Sequence, residues 1–259
     1  MKVLITGAGR GIGAAIAEAV ATRWTGAQLV LTDRTLSDDL KAVGARLEGQ
    51  GSEITTVAAD LSEPASVEPL VRHASAAFGG LDAIVSNAGV TGPAPLSELP
   101  LESWDRLMNV NARAAWLLAK TAYEALKQSS GCFLAIASTA GMSPYPTMGA
   151  YSPSKAALLM LCRQLAQEWA PEGIRVNTIS PGMVRTPLSE AVYRDPVLKS
   201  KRETLVPIGR VAGASDIADV ATFLLSDDAR YMTGHNAVVD GGFLDSLNNH
   251  IPGHSVAPD

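Results

Sequence analysis

Short runs of apolar and β-branched residues recur along the chain at 2–6, 27–32, 53–59, 82–86, 131–137, 174–180 and 236–240. Longer stretches with helical spacing lie among them, at 11–24, 64–78, 101–127, 151–170 and 215–226. Most of the short runs are apolar throughout rather than alternating, the pattern of a strand with helices on both of its faces. Strand–helix alternation along the whole length predicts an α/β fold, a doubly wound parallel sheet flanked by helices in the Rossmann manner.

Nothing in the pattern marks an internal repeat or an interdomain linker, so residues 1–242 read as one domain. Two segments break the rhythm. Residues 182–212 form a long insertion with two short helical patterns and several basic residues, the expected character of a substrate lid. The tail at 243–259 is polar and contains two prolines, and it either frays or packs on a neighbouring subunit.

A chain of 259 residues that is 47% hydrophobic can bury a substantial core. Its net charge of −5, with no run of lysines and arginines, argues against nucleic acid or an anionic membrane surface as a partner. Cys132 and Cys162 are too few for a disulfide framework and read as buried thiols in a reducing compartment. The opening "MKVLITGAG" enters a strand with no charged leader, and no apolar run approaches a membrane span. These features predict a cytoplasmic protein.

The first chemistry is the glycine loop "TGAGRGIG", Thr6–Gly13, between the first strand and the first helix. Glycines there permit a tight turn and let backbone N–H groups approach a pyrophosphate at the helix N-terminus. Asp33 ends the second strand, twenty residues after Gly13. A carboxylate there accepts hydrogen bonds from ribose hydroxyls and repels a 2′-phosphate, which favours NAD over NADP. Arg10 and Arg34 are near enough to greet such a phosphate, so NADP stays open.

The motifs in their order resemble the short-chain dehydrogenase/reductase family, in its single-domain branch. They are Thr6-Gly7-x-x-x-Gly11-x-Gly13, Asp60-Leu61, Asn87-Ala88-Gly89, Asn111, Ser138, Tyr151-x-x-x-Lys155, Asn177, Pro181-Gly182 with Thr186, and "VDGG" at 239–242. The resemblance implies a seven-stranded parallel sheet and a homotetramer built partly on helices 101–127 and 151–170. It implies cofactor contacts at Gly7, Arg10, Gly11, Ile12 and Gly13, at Asp33 and Arg34, and at Asp60 and Leu61 beside the adenine. Asn87, Ala88 and Gly89 would follow the ribose end, and Pro181, Gly182, Val184 and Thr186 the nicotinamide. Asn111, Ser138, Tyr151 and Lys155 match the family's catalytic tetrad.

That tetrad has a chemical logic. Taking a hydride from a secondary alcohol requires that its hydroxyl proton leave too, and a tyrosine of ordinary pKa, about 10, is a poor base. Lys155 lies one helical turn beyond Tyr151, where its charge favours the phenolate and its amine can hold ribose hydroxyls. Tyr151 then serves as general base for oxidation and general acid for carbonyl reduction. Ser138 would hydrogen-bond the substrate oxygen. The resemblance gives Asn111 a water that links Lys155 to solvent, although the residue by itself reads as a buried asparagine satisfied by backbone groups.

The family places substrate between three loops. Here they carry Met142, Tyr145 and Met148 after Ser138, Val90, Pro93 and Pro95 after Asn87, and Met183, Leu188 and Tyr193 in the insertion. Arg185 and Arg194 stand at the mouth of this apolar wall. A hydrophobic ketone or alcohol fits it, as does a sugar or polyol with an anionic tail. No metal site is expected, since Pro252 and Gly253 keep His250 and His254 off one helical face. The expected activity is NAD(P)-dependent interconversion of a small secondary alcohol and its ketone. The alternatives are an NADPH-dependent reductase like the 3-oxoacyl carrier-protein reductases, or a non-catalytic cofactor-binding module.

Overall fold

The computed structural model describes residues 1–187 and 189–251. Seven strands form one parallel sheet in the order β3-β2-β1-β4-β5-β6-β7. They are β1 (Lys2–Thr6), β2 (Gln28–Asp33), β3 (Glu53–Ala58), β4 (Ala83–Ser86), β5 (Cys132–Ile136), β6 (Arg175–Pro181) and β7 (Asn236–Val239). This is the doubly wound fold expected from the alternation of elements, with each strand within two residues of its predicted run.

The unbroken apolar runs have a physical cause. On β1, Leu4 joins one core cluster while Val3 and Ile5 join the other, and β2 divides Val30 from Leu29 and Leu31 in the same way. The first cluster lies under α3 (Pro64–Phe78), α5 (Ala114–Ser129) and α6 (Tyr151–Trp169). The second lies under α1 (Gly11–Arg23), α2 (Asp38–Glu48) and α9 (Ala214–Leu225). Both faces of the central strands are therefore dry, while the edge strands β3 and β7 stay partly exposed and β3 carries Glu53 towards water.

Two helical features depart from the expectation. α2 is absent from the predicted stretches, although its signals are present. Ser37 caps it by accepting the Leu40 N–H at 3.2 Å, Asp38 and Asp39 occupy the first turn, and Leu40, Val43 and Leu47 are buried at helical spacing. The stretch 101–127 is not one helix but two. α4 (Leu101–Met108) and α5 are joined by a π-helical turn, Asn109–Arg113, and a wider turn of this kind is frequent at functional sites.

The insertion carries α7 (Glu190–Tyr193) and α8 (Pro196–Glu203). Its base is a narrow neck, where the Ala212 N–H donates to the Met183 carbonyl and the Arg185 N–H to that of Ala212. Of the predicted site residues, Leu188 lies outside the described residues, as does His254 of the excluded metal pair. Among the described residues no helix is long and apolar enough to cross a membrane.

Candidate active site

The glycine loop, Asp33, Asn87 and Ser138 lie at strand carboxyl ends, around the point where strand order reverses between β1 and β4, whereas Asn177 lies within β6 and ties it to Met232 and His235. The Asn87 side chain links β1 and β4, donating to the carbonyls of Thr6 (2.9 Å) and Gly7 (3.1 Å). Thr6 returns the tie, its hydroxyl accepting from the Asn87 and Ala88 N–H groups at 3.0 Å each. A Cβ at Gly13 would strike the Gly7 carbonyl oxygen and come within 2.6 Å of Asn87 Nδ2, so only glycine permits this closure.

The helix that starts at Gly11 has no side-chain cap and no acidic residue in its first turn. Its free N–H groups and positive dipole end thus face the loop with no protein anion to satisfy them. Thr186 and Pro187, at the start of the insertion, stand 3.4–3.6 Å from where a Cβ on Gly11 would be. A dinucleotide phosphate fits this cradle, and the residues that would hold it are the ones the glycine pattern named. Arg10 is exposed beside the loop.

Asp33 does more than end β2. Its Oδ2 accepts from the Gly9 N–H at 3.3 Å and its Oδ1 from the Arg34 N–H at 2.8 Å, so the carboxylate pins the loop from below. Arg34 projects into solvent next to it. Asp60 accepts from both the hydroxyl (2.7 Å) and the N–H (2.9 Å) of Ser62, and these bonds hold its carboxyl below the usual carboxylate range. Leu61 is buried behind it.

Around the opposite end of the cleft, β5 stops at Ile136 and presents Ser138 at the start of a single helical turn, Thr139–Gly141. The turn lies flat on α6. A Cβ at Gly141 would sit 2.8 Å from the Lys155 carbonyl carbon, and this close approach sets the spacing between Ser138 and the first turn of α6. Pro153 occupies that first turn, where a missing N–H costs nothing.

Tyr151 and Lys155 share one face of α6, with the Lys155 Nζ 5.9 Å from the centre of the phenol ring. Lys155 is 4% exposed and its ammonium donates to the Ile136 carbonyl at 2.8 Å. Burial lowers its pKa to about 8, with the Cys162 thiol a small opposing influence. Burial also pushes the Tyr151 phenol up, while the Ser138 side chain pulls it back. The expected lowering of the Tyr151 pKa by Lys155 is therefore not what the protein alone provides, because desolvation outweighs a charge almost 6 Å away.

Asn111 sits in the π-helical turn, 2% exposed, and its side chain makes three hydrogen bonds. Its Oδ1 accepts from the Val90 N–H at 2.8 Å, and its Nδ2 donates to the Val90 carbonyl (2.9 Å) and the Ser154 hydroxyl (3.0 Å). Ser154 in turn donates to the Tyr151 carbonyl at 2.7 Å. Both amide hydrogens are spent on protein acceptors, while Oδ1 keeps a second lone pair and stands, like the Lys155 Nζ, within about 3.5 Å of where a Cβ on Gly89 would be. The Asn111 side chain acts as a clamp between the loop after β4 and the turn that carries Tyr151.

Over 94% of its length the chain is 36% identical to the Bos taurus dehydrogenase/reductase SDR family member 4, covering 87% of that protein. A family model described as enoyl-(acyl carrier protein) reductase matches residues 7–244. The chain belongs to the short-chain dehydrogenase/reductase family. Solved members share the fold closely. A Sinorhizobium meliloti protein assigned as a short-chain alcohol dehydrogenase superposes with a TM-score of 0.89 at 36% identity, over 95% of this chain and 96% of that one. A Beutenbergia cavernae protein assigned as an NAD(P)-dependent gluconate 5-dehydrogenase, with NADP bound at low occupancy, gives 0.87 at 35%, over 94% and 96%.

Within this short-chain dehydrogenase/reductase the substrate wall is only partly the expected one. Met142 and Tyr145 are half exposed and line a cleft of about 380 Å³ with Leu96. Met148 is tied to Ala94 by a strand-like bridge that closes the loop after β4 onto the loop after β5. Tyr193, expected at the wall, is instead 4% exposed, with the Arg202 guanidinium 5.3 Å over its ring and 3.2 Å from its hydroxyl. It is the internal prop that joins α7 to α8. The guanidinium that covers its ring comes from the next helix, which a reading of loop composition does not reveal.

Three further participants lie outside the sequence-predicted set. Gly141 sets the approach of Ser138, Ser154 completes the Asn111 clamp, and Ile136 supplies the carbonyl that holds Lys155. The serine was visible within "YSPSK", one residue before the lysine. The others carry no side-chain signal at all.

Proposed function

We propose that this protein interconverts a secondary alcohol and a ketone with a nicotinamide dinucleotide, Tyr151 carrying the proton. The dinucleotide, when bound, supplies or accepts the hydride. The observation that supports the reading most strongly is the pairing of a half-buried Tyr151 with a buried Lys155, facing Ser138 at the end of the glycine-loop cleft.

In the reductive direction the raised Tyr151 pKa keeps the phenol protonated at neutral pH, so it is ready to donate to the carbonyl oxygen of the substrate. The Ser138 hydroxyl donates a hydrogen bond to the same oxygen and holds the developing charge. Lys155, titrating at about 8, is the nearby group able to return a proton to the phenol. In the oxidative direction the same groups run in reverse, with Tyr151 taking the hydroxyl proton.

The preference is for NAD. Asp33 supports it, because a carboxylate already bonded to two backbone N–H groups is fixed where a 2′-phosphate would meet its charge. A carrier-protein-linked acyl substrate is the second reading, favoured by the description of the matched family model and disfavoured by Asp33. The assembly reading is a cytoplasmic homotetramer, supported by Trp116 on α5 and Met160 on α6, which are 44% and 61% exposed.

The deciding variant is Tyr151→Phe. It loses turnover of alcohols and ketones while its affinity for NADH, read by fluorescence titration, stays within about twofold, since the ring and its packing survive. Retention of more than a few per cent of activity would end the assignment of Tyr151.

A further inference from the structure

The insertion is basic in an acidic protein. Residues 182–212 hold six arginines and lysines against three acidic residues, in a chain whose net charge is −5. Most of these charges are spent locally. Asp195 caps α8 through the Val197 and Leu198 N–H groups, Lys199 pairs with Glu203, Arg210 grips Asp216 from outside the insertion, and Arg202 lies on Tyr193.

Arg185, Glu190 and Arg194 are different. They line a cavity of about 570 Å³ with Thr186 and Pro187, the residues that lean on Gly11. Arg185 grips Glu190 with two hydrogen bonds, 2.9 Å from Nε and 2.8 Å from Nη2. Arg194 reaches the same carboxylate only at 3.8 Å and is 79% exposed. One carboxylate thus serves two guanidiniums, leaving a net positive cavity with unspent planar donors in the insertion, on the side that leans on the glycine loop.

The geometry points to an oxyanion subsite here, for a carboxylate or phosphate carried by the substrate, with Arg194 as the primary ligand and Glu190 as an internal competitor. This deepens the oxidoreductase reading and rests on it, since the cavity is a substrate subsite only if the cleft turns substrate over. An anionic group displaces Glu190 from one guanidinium and takes its place, so only anionic substrates gain the interaction. The same oxyanion chemistry could be met by the pyrophosphate of the dinucleotide, and the test separates the two sources.

Inorganic phosphate and malonate are titrated into the intact protein while the arginine Nε–H resonances are followed by NMR. The expected result is saturable shifts of the Arg185 and Arg194 signals. Arg194→Gln abolishes saturation at the remaining Arg185 signal. Glu190→Gln tightens phosphate binding roughly threefold, the factor an exposed ion pair can withhold. A carboxylate with a purely structural role would leave that affinity unchanged or weaken it, so an unchanged or lower affinity in Glu190→Gln overturns the proposal, as does the absence of saturation in the wild type. Repeating the titration with NADH bound decides the source. Anion binding that survives NADH belongs to a substrate subsite, whereas competition assigns the arginines to the pyrophosphate and also overturns the proposal. None of these readouts depends on turnover, so loss of the oxidoreductase reading through Tyr151→Phe would be seen separately.

Discussion

The Lys155 ammonium lies 5.9 Å from the centre of the Tyr151 ring and gives its hydrogen bond to the Ile136 carbonyl, 2.8 Å away. The tip of β5 thus holds in place a cation that α6 carries one turn beyond the phenol. Ser138, two residues past Ile136, comes from the same strand end, so the cation and the oxyanion partner share one mechanical support.

Lys155 titrates at about 8 in the fold, against 10.5 ordinarily. Between those values the unfolded chain holds more protons than the folded one, so stability rises with pH across that window. Below it, the protein bears the cost of a buried ammonium. Lys155→Met is expected to be inactive yet more stable at pH 7, by about 1–3 kcal/mol less the loss of the bond to Ile136. Thermal melts of both proteins should show the gap narrowing as pH climbs past 8 towards 10.5. A gap that stays constant would mean the lysine is not desolvated.

Asp33 has two tasks that separate chemically. Asp33→Asn keeps an acceptor for the Gly9 N–H but removes the charge that opposes a 2′-phosphate. The ratio of NADPH to NADH dissociation constants is expected to fall about tenfold or more, from the lost like-charge repulsion. Asp33→Ala should weaken both cofactors as the loop loosens. If fluorescence titration finds the Asn variant's ratio unmoved, Arg10 or Arg34 sets the preference.

Asn111→Ala removes a buried clamp and leaves the Val90 N–H and carbonyl unpaired. Unfolding free energy is expected to drop by roughly 3 kcal/mol. Hydrogen exchange should rise at Val90 and in the first turn of α6, the two segments the clamp joins. Exchange confined to α4 and α5 would show that the π-helical turn alone needs the asparagine.

Gly141→Ala places a methyl 2.8 Å from the Lys155 carbonyl carbon. The turn must lift, and Ser138 moves with it. A stability loss of about 1–3 kcal/mol is expected from overpacking. The larger effect should be on kcat, at least about tenfold, since a misplaced hydrogen bond to the reacting oxygen acts in the transition state. Steady-state kinetics with unchanged kcat would place the approach of the turn outside the reaction.

Much of this architecture was legible in residue order. Uninterrupted apolar runs such as "KVLIT" and "GCFLAIA" predicted strands buried on both faces, and β1 and β5 obey because their alternate residues enter separate cores. The glycine loop, Asp33 and the Tyr151–Lys155 spacing are local patterns, and each needs only a strand end or one helical turn to take its place. α2 was equally legible in Ser37, Asp38, Asp39 and the Leu40–Val43–Leu47 spacing.

Other features depend on distances through space. Leu107, Asn111, Ala115 and Leu118 keep ordinary helical spacing through the π-helical turn, so the 101–127 stretch reads as continuous. The burial of Tyr193 comes from Arg202 on the next helix, and the double pairing of Glu190 from the fold of the insertion on itself.

The sequence by itself determined the sheet, the cradle for a dinucleotide phosphate and the phenol–amine pair, because hydrophobic periodicity and backbone freedom act over a few neighbouring residues. Only the tertiary structure decided how those groups are tuned. Desolvation, which lowers Lys155 and raises Tyr151, and packing, which brings Gly141 against α6 and Asn111 against Val90, are set by residues distant in the chain.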